Sequence, residues 1–202
     1  MSSHHFVKEG QEPALLILDA PAFDVAGPLL EWAPLVVVVQ PALDDVLLWN
    51  IKIDAVLAKE INVKDLSTKL AGQAPLTMLA YTPDESPLIN ALYFLIRNKQ
   101  NAVNIFSENA SEAIAISEKF ADQIQVNVID GTLKWSAIVS GHFEKWMAAR
   151  TIVFLKEGAR QQSIDFKGLK KVDDHYESVV DGMVSLESEC LFWVGSSHVV
   201  ES

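Results

Sequence analysis

The sequence contains one cysteine, Cys190, among its 202 residues. A single thiol excludes a disulfide within the chain and a zinc site built from several cysteines, and it is compatible with a reducing compartment. The amino terminus lacks the basic segment followed by an apolar segment that defines a secretory signal peptide. Apolar runs are interrupted by Pro, Gln or Asp well before the length of a membrane span. These absences predict a cytoplasmic protein with no membrane partner.

The chain also has little clustered positive charge, since its formal net charge is −11. Proteins that bind nucleic acid neutralise phosphates with clustered Lys and Arg side chains. An acidic surface is repelled by anionic membranes for the same reason, and its ordinary consequence is solubility. We therefore expect no nucleic-acid partner.

Familiar catalytic motifs are missing as well. The sequence has neither the GxxxxGK[ST] nor the GxGxxG pattern of phosphate-binding loops. Ser140-Gly141-His142 lacks the pattern of a nucleophile elbow. The histidines are not spaced with acids as metal ligands are, so residue patterns alone assign no catalytic residue.

The segment from Pro34 to Asn62 carries the clearest structural signal. Leu35–Val39 is a short apolar run rich in β-branched residues, which suits a strand buried on both faces. Apolar residues at helical spacing follow it, and Ile53–Leu57 predicts a second strand. Ligands of such βαβ units bind outside the carboxyl ends of the strands. Here those ends are Gln40-Pro41-Ala42 and Ala58-Lys59-Glu60.

Strands and helices are predicted to alternate on both sides of this unit. Further strands are expected at Ala14–Leu18, Leu76–Tyr81 and Val103–Phe106, and further helices at Val25–Trp32, Val63–Leu70, Leu88–Arg97 and Ser111–Phe120. This alternation predicts a Rossmann-like α/β domain with a mainly parallel sheet.

The pattern changes at Asp130-Gly131, a hairpin signal between two strand-like runs. Short strands are expected from there on, in RTIVFL, RQQSIDF, GMVSLES and ECLFWVG. They are typical of an antiparallel β-sandwich. We place the boundary near residue 123, which gives an α/β domain at 1–123 and a β-sandwich domain at 124–202.

The central segment resembles the core of thiamine pyrophosphokinases, in which a strand is followed by DGGANR, a helix and a segment of the form IxPDxxxGDxDS. Asp54 is retained at its position in this pattern. Gln40 stands where the first acid of the family belongs, and Pro41-Ala42 replaces the paired glycines. Lys59 and Ile61 stand where the two metal-binding acids belong.

Two other segments are similar to motifs of the same family. TPDESPLINAL resembles QDxTDxxxAL, keeping Asp84 and a hydroxyl at Ser86 while Pro87 replaces the second acid. KGLKKV, at 167–172, resembles GLKYPL. Where the family has GGRxDH, this chain has SENASEA.

The resemblance implies an α/β catalytic domain followed by a β-sandwich, a homodimer, and the use of ATP and Mg²⁺. The family reaction converts ATP and thiamine to AMP and thiamine diphosphate. Matching positions and their neighbours give a candidate remnant site of Gln40, Asp54, Lys59, Glu60, Asp84 and Ser86, with Asp54 and Asp84 as candidate metal ligands. Either Trp135 or Trp146 is a candidate for holding a thiamine ring.

Ordinary structural roles compete with these assignments, because Asp84 is a suitable helix-start residue and Lys59 with Glu60 a suitable solvated pair. Three functions remain open. The lost acids favour a catalytically degenerate relative that binds a nucleotide or a thiamine-like molecule. The alternatives are an active thiamine diphosphokinase with a remodelled magnesium site and a non-enzymatic, dimeric interaction protein.

Overall fold

The structure is a computed structural model, and it describes residues 12–131, 133–160 and 163–197. The chain divides into two compact units, of which the first extends to Glu108 and includes Gln123–Gln125. Its strands are β1 (Ala14–Ile17), β2 (Val36–Val39), β3 (Ala55–Lys59), β4 (Thr77–Tyr81) and β5 (Ala102–Phe106). Its helices are α1 (Phe23–Leu30), α2 (Leu43–Leu47), α3 (Val63–Lys69) and α4 (Pro87–Arg97). Short 3₁₀ turns occupy Gln40–Ala42, Glu60–Asn62 and Ala71–Gln73.

The strands of the first unit form a parallel sheet in the order β5-β1-β2-β3-β4. Every residue of β1 and β2 is buried, as expected for a parallel sheet that is covered on both faces. The predicted mainly parallel sheet is therefore confirmed. Because the chain runs from β1 to β4 in one direction and then returns to place β5 on the other side of β1, the topology switches between β1 and β5.

The prediction for β3 was shifted by two residues, since the strand covers Ala55–Lys59 and not Ile53–Leu57. Asp54 immediately precedes the strand, and its Oδ2 accepts a hydrogen bond of 2.8 Å from the backbone N–H of Val36. Its own N–H donates to the carbonyl oxygen of Val36 at 2.9 Å. This pair of bonds fixes the amino-terminal end of β3 beside β2.

Helix α4 begins at Pro87, which lacks the N–H that a first helical residue leaves unpaired. Its buried residues recur at helical spacing and therefore form one apolar face. They are Leu88, Ala91, Leu92 and Leu95. Helix α1 begins two residues earlier than predicted, at Phe23. No helix in the described ranges has the length and apolar character needed to cross a bilayer.

The second unit comprises Asn109–Asp122 and the chain from Val126 onward. It begins with α5 (Ala110–Ser117), whose first turn is capped by the Asn109 side chain accepting from the N–H of Glu112. A 3₁₀ turn at Glu118–Phe120 follows. The predicted helix at Ser111–Phe120 thus ends in a tighter turn, and it belongs to the second compact unit although the sequence placed it in the first domain.

The remaining strands are antiparallel and form two sheets. The strands are β6 (Gln125–Asp130), β7 (Leu133–Ile138), β8 (His142–Met147), β9 (Ile152–Glu157), β10 (Asp165–Lys167), β11 (Leu169–Val172), β12 (His175–Ser178), β13 (Gly182–Glu187) and β14 (Phe192–Ser197). One sheet has the order β11-β12-β9-β14-β7-β6, and the other is three-stranded with the order β10-β13-β8. The hairpin predicted at Asp130-Gly131 is confirmed by the pairing of β6 with β7.

A buried apolar cluster joins these two sheets. Met147, Val184 and Leu186 come from the three-stranded sheet, and Val153, Leu169, Phe192 and Val194 come from the other one. Burial of such side chains contributes about 1.5–3 kcal/mol each. The two sheets of the second unit therefore pack face to face as a β-sandwich. The predicted antiparallel strands are confirmed, although the sequence did not predict β8, β11 or β12.

Candidate functional site

The carboxyl ends of the parallel strands form the candidate site of the first unit. Asp19 lies just beyond β1, Gln40 follows β2, Lys59 ends β3, Thr82 follows β4 and Ser107 follows β5. Side chains at this edge are not needed to fill the core, and ligands of open α/β sheets bind there. Three of the six predicted site residues, Gln40, Lys59 and Glu60, come together at the ends of β2 and β3.

Gln40 connects the two central loops. Its Oε1 accepts a hydrogen bond of 3.0 Å from the backbone N–H of Lys59 and one of 3.2 Å from Nδ2 of Asn62. The carbonyl side of the Gln40 amide is thus used to hold the turn after β3. In this position the amide stabilises the turn after β3, and it carries no negative charge.

Lys59 and Glu60 are exposed at the start of the turn that Gln40 holds. Within the described ranges, neither side chain enters a hydrogen bond or an ion pair. Ile61 follows and is 86% exposed. The loop therefore offers one ammonium, one carboxylate with free lone pairs and one apolar side chain.

Asp54 is not brought to this edge. It precedes the first residue of β3, whereas Lys59 is the last. Five residues of extended chain separate them by about 16 Å. Since its carboxylate accepts from Val36 N–H at the amino end of the sheet, the structure assigns Asp54 a role in positioning β3, and it does not place Asp54 with the other candidates.

The segment after β4 is a tight turn that uses its own acid. The carbonyl oxygen of Thr82 accepts from the N–H of Glu85 at 3.0 Å, and Oε2 of Glu85 accepts from the N–H of Thr82 at 2.7 Å. Hydrogen bonds from the Thr82 backbone and side chain lower the pKa of Glu85. Asp84 is exposed, and Ser86 precedes α4 without a side-chain capping bond.

Asp19 is a residue of this edge that sequence reasoning did not single out. Its Oδ2 accepts a hydrogen bond of 3.0 Å from the N–H of Glu108 and one of 3.4 Å from Oγ of Ser107. It thereby links the ends of β1 and β5, where the strand order reverses. The sequence signal that could have identified Asp19 was an acid directly after an apolar strand. Its hydrogen-bond partners lie 88 and 89 residues away in the sequence, so local patterns do not reveal them.

The side-chain oxygens at this edge do not fit the magnesium site that the resemblance to thiamine pyrophosphokinases implies. Magnesium takes oxygen ligands in near-ideal octahedral geometry. In the part of the chain that the structure describes, no group of three His, Cys, Asp or Glu side chains is arranged to hold a metal ion. Two of the carboxylates at the edge, those of Asp19 and Glu85, instead accept from backbone N–H groups of their own loops.

The two candidate aromatic residues of the sandwich differ in exposure. Trp135 packs against Phe154 with ring centroids 6.3 Å apart. Gly195 lies against this pair, and a Cβ there would approach the Trp135 ring to 3.0 Å and Cβ of Phe154 to 3.1 Å. Trp146 is 59% exposed and lies opposite Met183, which is 54% exposed. Of the two, Trp146 has the face that a ligand or partner can reach.

The sandwich also contains a polar cavity of about 630 Å³. It is lined by Ser140, Gly141, His142, Ser163, Asp165, Glu187, Ser188 and Glu189. Nδ1 of His142 lies 3.8 Å from Oε1 of Glu187. Oγ of Ser140 donates to the carbonyl oxygen of His142 at 3.0 Å and accepts from the N–H of His142 at 3.3 Å.

Comparison with known proteins gives matches in structure and none in sequence. No protein-family profile matches the chain, and no curated protein sequence matches it. Together the parallel α/β sheet and the antiparallel strands nevertheless define a mixed α/β fold that solved structures share.

Those structures include thiamine pyrophosphokinases. The enzyme from Bacillus subtilis matches with a TM-score of 0.65 and 12% identity over 93% of this chain and 100% of that one. The Candida albicans enzyme matches with a TM-score of 0.65 and 9% identity over 92% of this chain and 89% of that one. The yeast enzyme gives a TM-score of 0.63 and 9% identity over 96% and 88% of the two chains. The chain therefore has the thiamine pyrophosphokinase fold, and the resemblance found in its sequence is confirmed at that level.

Proposed function

We propose that this chain is a thiamine pyrophosphokinase-like protein that binds a nucleotide or a thiamine-like molecule without transferring a pyrophosphoryl group. The observation that carries the proposal is the position of Gln40. Its side-chain oxygen is engaged by Lys59 N–H and by Asn62, at the place where the sequence resemblance puts an acid. An amide in this position has no negative charge to offer a metal ion.

The neighbouring residues support the same proposal. Transfer of a pyrophosphoryl group from ATP requires magnesium to neutralise the phosphates, and it benefits from backbone N–H groups that approach them. Pro41 has no N–H, and it stands in the 3₁₀ turn that follows β2. Lys59 carries a positive charge and Ile61 has no oxygen, so neither replaces a carboxylate ligand.

The number of replaced groups matters more than any single one. Losing one preorganised group that stabilises transition-state charge typically lowers the rate about 10²–10³-fold. Several such losses at one site leave little catalysis unless other residues compensate. Binding is less sensitive to such losses, because it does not require the transition state to be stabilised.

The second candidate function is an active thiamine diphosphokinase with a remodelled magnesium site. Glu60 favours it, since this carboxylate is exposed at the start of the turn and has no partner within the described residues. A third candidate is a non-enzymatic, dimeric interaction protein, for which the exposed pair of Trp146 and Met183 is the supporting feature.

Isothermal titration with thiamine and with ATP, each with and without Mg²⁺, separates these candidates. Our proposal expects heat of binding with at least one ligand and little change on adding Mg²⁺. Binding of ATP that depends on Mg²⁺ would favour the active enzyme. Absence of binding by both ligands in all four titrations would favour the interaction protein.

A further inference from the structure

Two lysines of strands β7 and β8 lie on the inner faces of the β-sandwich. Lys134 on β7 is opposite Ser196 on β14, and Ser196 is in turn opposite Val153 on β9. Residues directly opposite each other on antiparallel strands share a face of the sheet. Val153 belongs to the buried cluster between the sheets, so Lys134 and Ser196 lie on the inner face as well.

Lys145 approaches from the other sheet. It lies on β8 opposite Val184 of β13, which is a member of the same buried cluster. Burial lowers the pKa of the Lys134 ammonium, and the positive charge of Lys145 lowers it further. Both lysines therefore face the space between the two sheets.

In the portion of the second unit that the structure describes, no counter-charge accompanies them, since neither lysine forms an ion pair or a hydrogen bond. The nearby strand acids lie on outer faces, because successive residues of a strand point to opposite faces of the sheet. Glu144 is opposite Ser185, which neighbours the inward-facing Val184. Asp130 is opposite Leu133, which neighbours the inward-facing Lys134.

One strand acid does lie on an inner face, but it is far away. Glu157 is opposite Phe192, which is in the buried cluster and four residues along β14 from Ser196. That separation along an extended strand is about 13 Å. Glu157 is thus at the other end of the strand and does not neutralise Lys134.

Hydroxyl groups complete the surroundings of the lysines. Ser196 is opposite Lys134, and Ser136 is opposite the inward-facing Val194. Both serines therefore share the inner face with Lys134. Ammonium and hydroxyl groups are donors that a phosphate oxygen accepts, and Lys binds phosphate as a point charge.

We propose that Lys134, Lys145, Ser136 and Ser196 form a binding site for a phosphate-type oxyanion within the sandwich. A cation that is partly desolvated and unpaired costs free energy, and a bound anion offsets that cost. Lys134 is partly buried and Lys145 is exposed, so the site opens to solvent. Inorganic phosphate, pyrophosphate and the phosphate group of an organic molecule share the chemistry that this site recognises.

Binding is tested by isothermal titration of the full chain with inorganic phosphate, pyrophosphate and ADP at constant ionic strength. The variants are Lys134→Met and Lys145→Met, and the matched control is Lys156→Met. Lys156 is opposite Trp193, between the inward residues Phe192 and Val194, so it lies on the outer face of the same sheet. We expect the two inner variants to weaken binding at least about tenfold, which corresponds to one lost charge-assisted contact. The control should bind like the wild type.

The three ligands identify the source of the phosphate group. Tighter binding of phosphate or pyrophosphate than of ADP assigns the site to a free anion, and tighter binding of ADP assigns it to an organic phosphate. Equal binding by Lys134→Met and the wild type, or no binding of any of the three, overturns the proposal.

A measurement on the wild-type chain avoids dependence on folding of the variants. Reductive ¹³C-methylation of lysines allows the pKa of each dimethylammonium to be followed by NMR. Phosphate should raise the pKa of Lys134, because a bound anion favours the charged form. An unchanged pKa of Lys134 at phosphate concentrations that saturate the calorimetric signal would place the anion elsewhere and contradict the proposal.

Discussion

Oε1 of Gln40 lies 3.0 Å from the backbone nitrogen of Lys59 and accepts its hydrogen bond. This bond joins the end of β2 to the end of β3 across 19 residues of sequence. At the candidate site the loops after β2 and β3 are therefore held together by hydrogen bonds between the chain's own polar groups.

Replacing Gln40 with Ala should destabilise the protein by about 1–2 kcal/mol, because Lys59 N–H and the Asn62 amide lose their acceptor. Urea unfolding followed by tryptophan fluorescence measures this change. Gln125→Ala is the matched control, since that side chain is exposed, and it should change stability by less than about 0.5 kcal/mol. Equal stability of the two variants would show that the bond between the loops contributes nothing.

Asp54 should behave as a structural residue. Its removal in Asp54→Ala leaves Val36 N–H without its side-chain acceptor and should cost about 1–3 kcal/mol. Affinity for thiamine and for ATP, measured by titration below the unfolding transition, should stay unchanged. A loss of affinity with unchanged stability would return Asp54 to the binding site.

His175 should make folding stability depend on pH. The hydrogen bond to Asp174 and then that to Glu177 raise its pKa, and its ring also contacts Phe154. Because the pKa of His175 is higher in the folded chain than in the unfolded chain, protonation of His175 stabilises the fold. This stabilisation is fully present below the pKa of the unfolded chain, about 6.5, and is lost as the pH rises through the pKa of the folded chain. Urea unfolding of the wild type and His175→Gln at pH 5.5 and pH 8.5 should show the larger difference at pH 5.5. A difference that is the same at both values contradicts this assignment.

The sequence predicts a homodimer from the apolar run between Gly182 and Gly195, and the structure changes the residues on which this prediction depends. Phe192 and Trp193 are 1% and 0% exposed and belong to the core. Exposed apolar surface remains at Trp146 and Met183 on neighbouring strands. Sedimentation should give about twice the 22.3 kDa chain mass, and Trp146→Lys with Met183→Lys should give the monomer. A monomeric wild type at micromolar concentration would contradict the prediction.

The elements with strong local signals were predicted from the sequence, and those that depend on distant partners were not. The run Val36–Val39 can be buried on both faces only in a sheet, and Asp130-Gly131 favours a tight turn in any context. In contrast, β11 contains Lys170 and Lys171 and has no apolar period. Its identity as a strand depends on pairing with β12 and on burial of Leu169.

The candidate site divides in the same way. The strand-end position of Gln40 and Lys59 follows from the βαβ pattern, which is local. The position of Asp54 depends on where β3 begins, and that is set by its hydrogen bonds to Val36. Asp19 meets Glu108 only because β5 returns beside β1, and a single sequence does not reveal such a topology.

The last prediction concerns catalysis: purified protein should form no detectable thiamine diphosphate from ATP, thiamine and Mg²⁺. Lys59 would repel the metal ion, Ile61 has no ligand atom, and the carboxylates of Asp19 and Glu85 accept from backbone N–H groups. Glu60 is the carboxylate at this edge with the reach to compensate. A turnover assay of the wild type beside Glu60→Ala decides the question. Product formation that disappears in Glu60→Ala would show that the metal-binding acid has moved by one position within the turn, and the protein would then be an active thiamine diphosphokinase.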